Sequence, residues 1–485
     1  MNLTNAAAAQ QGEVVRQSEL SPSQSPDGAS EPYWSKLIPC NLTEIVFLAL
    51  VVLVISLHLK YLFDVRTTVP HGDEWSLLDG MFRSLDEHHV GAWVFNSRNG
   101  HFLIPGTLAY LVSLRFWSLD LAPLRLLNFP ICLAAFLLTA HVINAEVRSR
   151  FLRFYLYLGA CFVIFNLCFW ELFSMGYMFT AVLSALFGGI GLYFIAKATQ
   201  RSSKWKNHLL VGLCFLIASV LSLGAGYAAT AAAIALLTFA GLKKLMLSRP
   251  IPGFGTIVYS VACALGLLAI ASHPLFHLKS RMIQAVFHTM LVAGSAGSSF
   301  FDRNSLLAQN VAFVCGIILV VASLSIGFDC LTRRTPHRRL LPIFSLALVL
   351  FGLFGCIAVA VSRWNLSGGE FLSSRYTLYP SICLLGILLY FACWRVFWLT
   401  NIWCFAAAVY LLGTLKEQQT AFFRPAVYQK IEVAIRNIDN LSDEQLRATL
   451  YWRENTKGVR RVVARMRRDR LNVFRGTPDT NTAPH

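Results

Sequence analysis

The chain has 485 residues, of which 56% are hydrophobic and 14% charged, against roughly 25% charged in ordinary soluble domains, which excludes a soluble globular class. Apolar runs of about 17 to 25 residues recur along nearly the whole length, the signal of transmembrane helices, and the alternating segments of a β-barrel are absent. The formal net charge of +17 reads as positive-inside loops and contact with anionic lipid headgroups rather than as a nucleic-acid surface.

In chain order, residues 1–39 are rich in Ser, Gln, Ala and Pro (QSELSPSQSPDGASEP) and read as a disordered tail, with no signal-peptide pattern ahead of them. A transmembrane domain is expected over 40–415, and its first span runs from Leu42 to Phe63. A polar island follows over 64–101, DVRTTVPHGDEWSLLDGMFRSLDEHHVGAWVFNSRNGH. In it Asp64, Asp73, Glu74, Asp79, Asp86 and Glu87 outnumber Arg66, Arg83 and Arg98, with His71, His88, His89 and His101 among them. So many ionisable groups between apolar runs predict the acidic half of a site at a membrane face.

Residues 102–118 include Arg115 and could either cross the membrane or lie along it as an amphipathic or re-entrant helix. Further spans are expected at about 122–145, 151–170, 175–196, 207–223, 226–242, 253–272, 304–329, 339–361, 376–394 and 398–414. The connections between them alternate in charge. One set carries Arg148, Arg150, Arg153, Lys197, Arg201, Lys204, Lys206, Lys243, Lys244, Arg249, Arg333, Arg334, Arg338 and Arg339. The other, beyond the acidic island, carries only Lys279, Arg281, Arg303, Arg363 and Arg375. The first set is therefore cytoplasmic. If 102–118 does not cross, the island, 273–303 and 362–375 share the outer side, giving about 11 spans with the N-terminus in and the C-terminus out. If it does cross, the island joins the cytoplasmic set; the 11-span reading is preferred.

Residues 416–485 read as a small helical, basic segment closing on ENTKGVRRVVARMRRDRLNVFR. Its charge argues for the cytoplasm and the short loops for the outside, and both options stay open at this level. The twelve cysteines lie in or beside apolar runs without metal spacing, so neither a disulfide framework nor a zinc site is expected.

Four stretches carry chemistry. Asp73 and Glu74, in HGDEW, follow Pro70 at a turn that opens a helix. Adjacent helical residues do not share a face, so one should point into a cavity while the other caps or pairs. Such a carboxylate could act as general base on an acceptor hydroxyl or hold a divalent cation, or both acids could simply stabilise a helix start. In SRNGHFLIP, Asn99 could cap the next helix with Pro105 in its first turn, or Arg98, Asn99 and His101 could bind a substrate through a phosphate or a sugar hydroxyl. In FNLCFWELFSMGY, Glu171 beside Trp170 is a carboxylate at membrane depth, functional or snorkelling to the interface. SRWNLSGGEFLSSRYTLYP is an outer loop with Arg363, Glu370, Arg375 and Tyr376, candidates for substrate binding; Arg375, at the start of a span, could fork onto a phosphate, anchor at the interface, or pair with Glu370. With Lys279, Arg281 and Arg303 these make a basic outer pole suited to an anionic lipid-linked substrate. Walker A, GxSxG, HExxH and dinucleotide motifs are absent.

The acid pair of HGDEW after a first span, the RNGHFLIP that precedes an amphipathic helix, and the late SSRYTLYP loop together resemble the GT-C superfamily of membrane glycosyltransferases, which includes protein O-mannosyltransferases and the aminoarabinose transferase acting on lipid A. The resemblance covers the architecture from about 42 to 475. It implies an all-α polytopic fold that moves a sugar from a polyprenyl-phosphate donor to a hydroxyl of a glycan, lipid or protein on the outer face of a bacterial inner membrane. By the same resemblance Asp73 or Glu74 is the catalytic base and Arg375 helps hold the donor phosphate; some members of the superfamily use a divalent metal and others none. The short C-terminal piece departs from the pattern and reads as an accessory element. The chief rival is a lipid or solute transporter or flippase, which predicts internal repeats and broken spans; no convincing repeat is visible, and charges inside the spans are scarce. A structural or assembly factor would need neither the acidic island nor the basic pole.

Overall fold

The computed structural model describes residues 41–98, 100–200, 203–246, 282–299, 301–332, 339–363, 368–393, 397–450 and 456–475. Asn99, Lys279, Arg281, the tail at 1–39 and the expected span at 253–272 lie outside the described residues. In chain order the helices are α1 (Leu42–Val65), α2 (Glu74–Asp86), α3 (Val90–Phe95), α4 (Ile104–Trp117), α5 (Ala122–Leu126), α6 (Asn128–Glu146), α7 (Arg150–Ile164), α8 (Glu171–Ser174), α9 (Phe179–Thr199) and α10 (Trp205–Ser222). They continue as α11 (Ala225–Met246), α12 (Met282–Gly294), α13 (Leu306–Thr332), α14 (Leu340–Ser362), α15 (Leu378–Cys393), α16 (Phe397–Ala421), α17 (Arg424–Arg436), α18 (Asp443–Leu450) and α19 (Thr456–Arg468).

Among the described residues no strand forms, and 8 helices are long and apolar enough to cross a membrane. The 24 residues of α1 rise ~36 Å, more than the roughly 30 Å of a hydrocarbon core. The protein is an all-α integral membrane protein. Helices pack through small residues: a Cβ on Gly352 of α14 would meet the Cys383 nitrogen and the Tyr379 oxygen of α15, both at 2.5 Å. Contacts this close between backbones are how membrane helices gain van der Waals energy where lipid supplies no hydrophobic drive.

The helix expected at 151–170 stops at Ile164. Asn166 ends it by donating from its amide to the Val163 carbonyl and accepting from the Cys168 N–H at 2.9 Å, a local competitor to helical bonding.

The bundle has two distinct ends. At one, Arg150 lies 3.8 Å from Glu44, and the Leu340 N–H donates to Glu146 at 3.2 Å; this gathers the start of α1, the α6–α7 turn and the start of α14. The polar island, residues 165–178, residues 301–305, residues 368–377 and the C-terminal segment meet at the other end. The 14 residues of α4 rise only ~21 Å, and both of its flanks touch that second end. His101 rests against Gly224, just past α10, while the Ser118 carbonyl accepts from the Asn472 N–H at 2.8 Å. Thr107, Tyr110 and Ser113 of α4 are buried against protein, whereas Leu108, Val112 and Phe116 are exposed. An outward apolar face is what a helix lying in the lipid interface needs. Helix α4 begins at Ile104 with Leu103 in the cap position and Pro105 in its first turn, so the expected cap at Asn99 lies too far upstream.

The C-terminal segment sits on the polar island. Arg461 donates to Asp79 at 2.9 Å, and Arg465 pairs with Asp86. Two of the six acids that singled out the island, Asp79 and Asp86, are therefore paired with the basic run at the other terminus of the chain.

Adding bulk between α14 and α15 should disrupt the bundle. Gly352→Val is expected to cost about 1–3 kcal/mol by overpacking, read as a lower thermal midpoint in detergent. Gly189→Ala, where a Cβ meets nothing within 4 Å, should be neutral or slightly stabilising.

Candidate functional site

The site is built around the opening of α2. Gly72, at φ +57°, turns the chain through a left-handed conformation that glycine adopts without strain. Glu74 then begins the helix and reaches back to accept from the His71 N–H at 2.7 Å. Its carboxylate is fully buried and also accepts from the Gly176 N–H at 2.7 Å, the Tyr110 hydroxyl, and Arg125 Nη2 at 2.8 Å.

Arg125 is equally buried and is satisfied on every nitrogen. Nε donates to the Ser174 carbonyl at 2.8 Å, Nη1 to the Thr67 carbonyl, and Nη2 to the Val69 carbonyl at 3.0 Å as well as to Glu74. It is held by α5, whose first turn is capped by Asp120 Oδ1 accepting from the Ala122 N–H at 2.9 Å. Sequence inspection passed over Arg125 as part of an apolar span; the signal that could have found it was a lone arginine at membrane depth.

Asp73 faces the other way. It occupies the cap position of α2 without spending its side chain on a capping bond, and it is exposed. The Tyr177 hydroxyl donates to its Oδ2 at 3.3 Å. Burial first, and then the Asp73 charge, push the Tyr177 phenol well above its usual range, so it stays a donor. Burial and the Glu74 charge do the same for Tyr110.

Beside this carboxylate lies a basic cluster. Glu171 accepts from the Ser373 hydroxyl at 2.7 Å, and its backbone N–H donates to the Ser374 hydroxyl at 3.0 Å. It stands 3.6 Å from both Arg303 Nη1 and Arg375 Nε, so it brackets two partly exposed guanidinium groups. Arg375 therefore pairs with Glu171, and its guanidinium lies 5.5 Å from the Tyr376 ring centroid, with Tyr376 itself buried. Arg375 lies within electrostatic reach of the Asp73 carboxylate.

Arg98 and His101 exchange backbone bonds of 2.8 and 2.9 Å around Gly100, and Arg98 stacks over Trp93 at 5.0 Å. Burial, then the charge of exposed Arg363, lowers the His101 pKa, leaving a neutral ring at pH 7. The fold thus brings Asp73, Arg98, His101, Glu171, Arg363, Arg375 and Tyr376 to one end of the bundle and commits Glu74 to its interior. Among the described residues no group of three or more His, Cys, Asp or Glu could hold a metal ion, so the divalent-cation option finds no ligand set there.

Comparison with known protein families, curated proteins and solved structures returns no match.

The two adjacent acids should respond differently to loss of charge. Glu74→Gln places an amide among four donors and leaves Arg125 buried without its counter-charge, an expected loss of about 3–5 kcal/mol. Glu74→Leu combined with Arg125→Met should regain much of it, whereas Asp73→Asn should stay within about 0.5 kcal/mol of the unaltered protein. Thermal unfolding in detergent separates these outcomes.

Proposed function

We propose that this protein is a membrane glycosyltransferase of the GT-C type, moving a sugar from a polyprenyl-phosphate donor to a hydroxyl of a glycan, lipid or protein acceptor. The observation that carries the reading is the exposed Asp73 carboxylate within electrostatic reach of Arg375, at the end of a bundle of membrane-length helices. The donor is amphiphilic and anionic, and its reacting bond sits at headgroup level. That is where the long helices end, where Arg303 and Arg375 meet Glu171, and where Arg363 stands near His101.

Asp73 serves as the general base. As the acceptor oxygen attacks the anomeric carbon, its proton passes to the Asp73 carboxylate, the carbon–oxygen bond to phosphate breaks, and polyprenyl phosphate leaves with the bonding pair. Arg375, steadied by Glu171 and assisted by Arg303, meets the charge that grows on the departing phosphate. Preorganised positive groups at a developing anion are the larger part of such catalysis, and one carboxylate suffices for an inverting displacement. Glu74 acts as a positioning residue through Arg125.

The topology in this reading keeps the 11 crossings expected from the sequence, with α4 lying along the outer face. The basic connections at the α6–α7 and α9–α10 turns face the cytoplasm, and the active end faces outward from a bacterial inner membrane.

The test is transfer of labelled sugar from a panel of polyprenyl-phosphate donors by the purified protein in lipid nanodiscs. Asp73→Asn should lower kcat by about 10²–10⁴-fold with its folding intact. Arg375→Lys, which loses the forked geometry, should raise the donor KM. Full activity in Asp73→Asn removes Asp73 as the base, and no transfer from any donor, against vectorial lipid or solute movement when the same protein is placed in sealed proteoliposomes, favours a transporter.

A further inference from the structure

The C-terminal segment does more than pair with Asp79 and Asp86 of the acidic island. The three carbonyls that precede the Asp73 turn are held from two sides. Arg125 takes those of Thr67 and Val69 from within the bundle. The intervening Thr68 carbonyl accepts from Asn472 Nδ2 at 2.6 Å, and the same amide donates to the Leu119 carbonyl at 2.7 Å. The Asn472 backbone N–H adds a bond to the Ser118 carbonyl at 2.8 Å.

Asn472 is 9% exposed and adopts a left-handed conformation, φ +54°, which asparagine tolerates better than most residues. It is delivered by α19, whose Val459, Val462, Val463 and Met466 are buried while Arg461 and Arg465 grip Asp79 and Asp86 on α2. Leu471, Val473 and Phe474 beside it are buried as well. One segment therefore clamps the chain on both flanks of Asp73: at Thr68 before it, and along α2 after it.

We infer that Asn472 is a positioning residue for the site, holding the 67–72 turn so that Asp73 presents its carboxylate at the end of the bundle. The functional half of this inference rests on Asp73 being the base; the clamp itself does not.

The full-length protein in nanodiscs tests both halves. Asn472→Asp keeps the backbone preference but turns a donor into an acceptor aimed at two carbonyls. Asn472→Gly keeps the left-handed turn and the backbone bond to Ser118 but removes the side chain, which guards against a variant that fails to fold. Hydrogen–deuterium exchange over 68–76 should accelerate about tenfold in both, the effect of losing one or two hydrogen bonds, with the long helices unchanged. kcat should fall about tenfold while the donor KM stays within about twofold. Unchanged exchange over 68–76, or acceleration confined to 456–475, overturns the clamp. Accelerated exchange with unaltered kcat overturns the positioning role. Accelerated exchange in a protein whose unaltered form transfers no sugar upholds the clamp and removes the glycosyl-transfer reading instead.

Discussion

The Glu74–Arg125 pair is the constraint on which the rest of this site depends. Each buried ion carries a desolvation penalty of several kcal/mol, and such a pair is tolerated only when its remaining donors and acceptors are met. Here they are met by carbonyls and N–H groups of residues 67–71 and 174–176 and by the Tyr110 hydroxyl of α4. Satisfying one pair therefore fixes the mutual arrangement of the polar island, the reversal before α6 and the turn before α9. It also orients Asp73, because a helix cannot send adjacent side chains to the same side. With Glu74 drawn inward, Asp73 is left at the surface, where among the described residues the Tyr177 hydroxyl is the one hydrogen-bond donor to its carboxylate.

Charge is sorted by depth in this bundle. Glu171 sits between Arg303 and Arg375 and reduces the repulsion that would otherwise separate two guanidinium groups at one helix end. Arg424 lies 3.9 Å over the Trp170 ring, so even the start of α17 is seated on the same end by a cation–π contact. Helix α4 completes the arrangement with its polar face inward and its apolar face outward, the reverse of a helix on a soluble protein. These features put a polar, two-signed surface at the level where lipid headgroups lie, above helices that bury almost nothing charged at their centres.

What could be read directly from the amino-acid order was whatever needed only neighbours along the chain. An apolar run of membrane length declares itself without knowledge of its packing partners, so α1, α6, α9, α10, α13, α14, α15 and α16 were all anticipated. The acid pair of HGDEW was equally legible, as was the rule that its members must part company. The end of α7 escaped at this level, since a single Asn166 stops it inside an apolar run.

Which acid turned inward was decided by Arg125, 51 residues further on, and the fate of Asp79 and Asp86 by arginines some 380 residues away. The partner of Arg375 proved to be Glu171, 204 positions earlier by their numbers, although Glu370 was the nearer acid in sequence. Composition and periodicity sum over local windows, and they determined that this chain lives in a membrane and where its polar groups cluster. Pairing energies depend on distances of a few ångströms between segments that no window contains. Pairs one helical turn apart, such as Lys60–Asp64 and Arg83–Asp79, are local, but the long-range distances exist only after the helices have packed, and so the tertiary structure alone joined Glu74 to Arg125, Asp86 to Arg465 and Arg375 to Glu171.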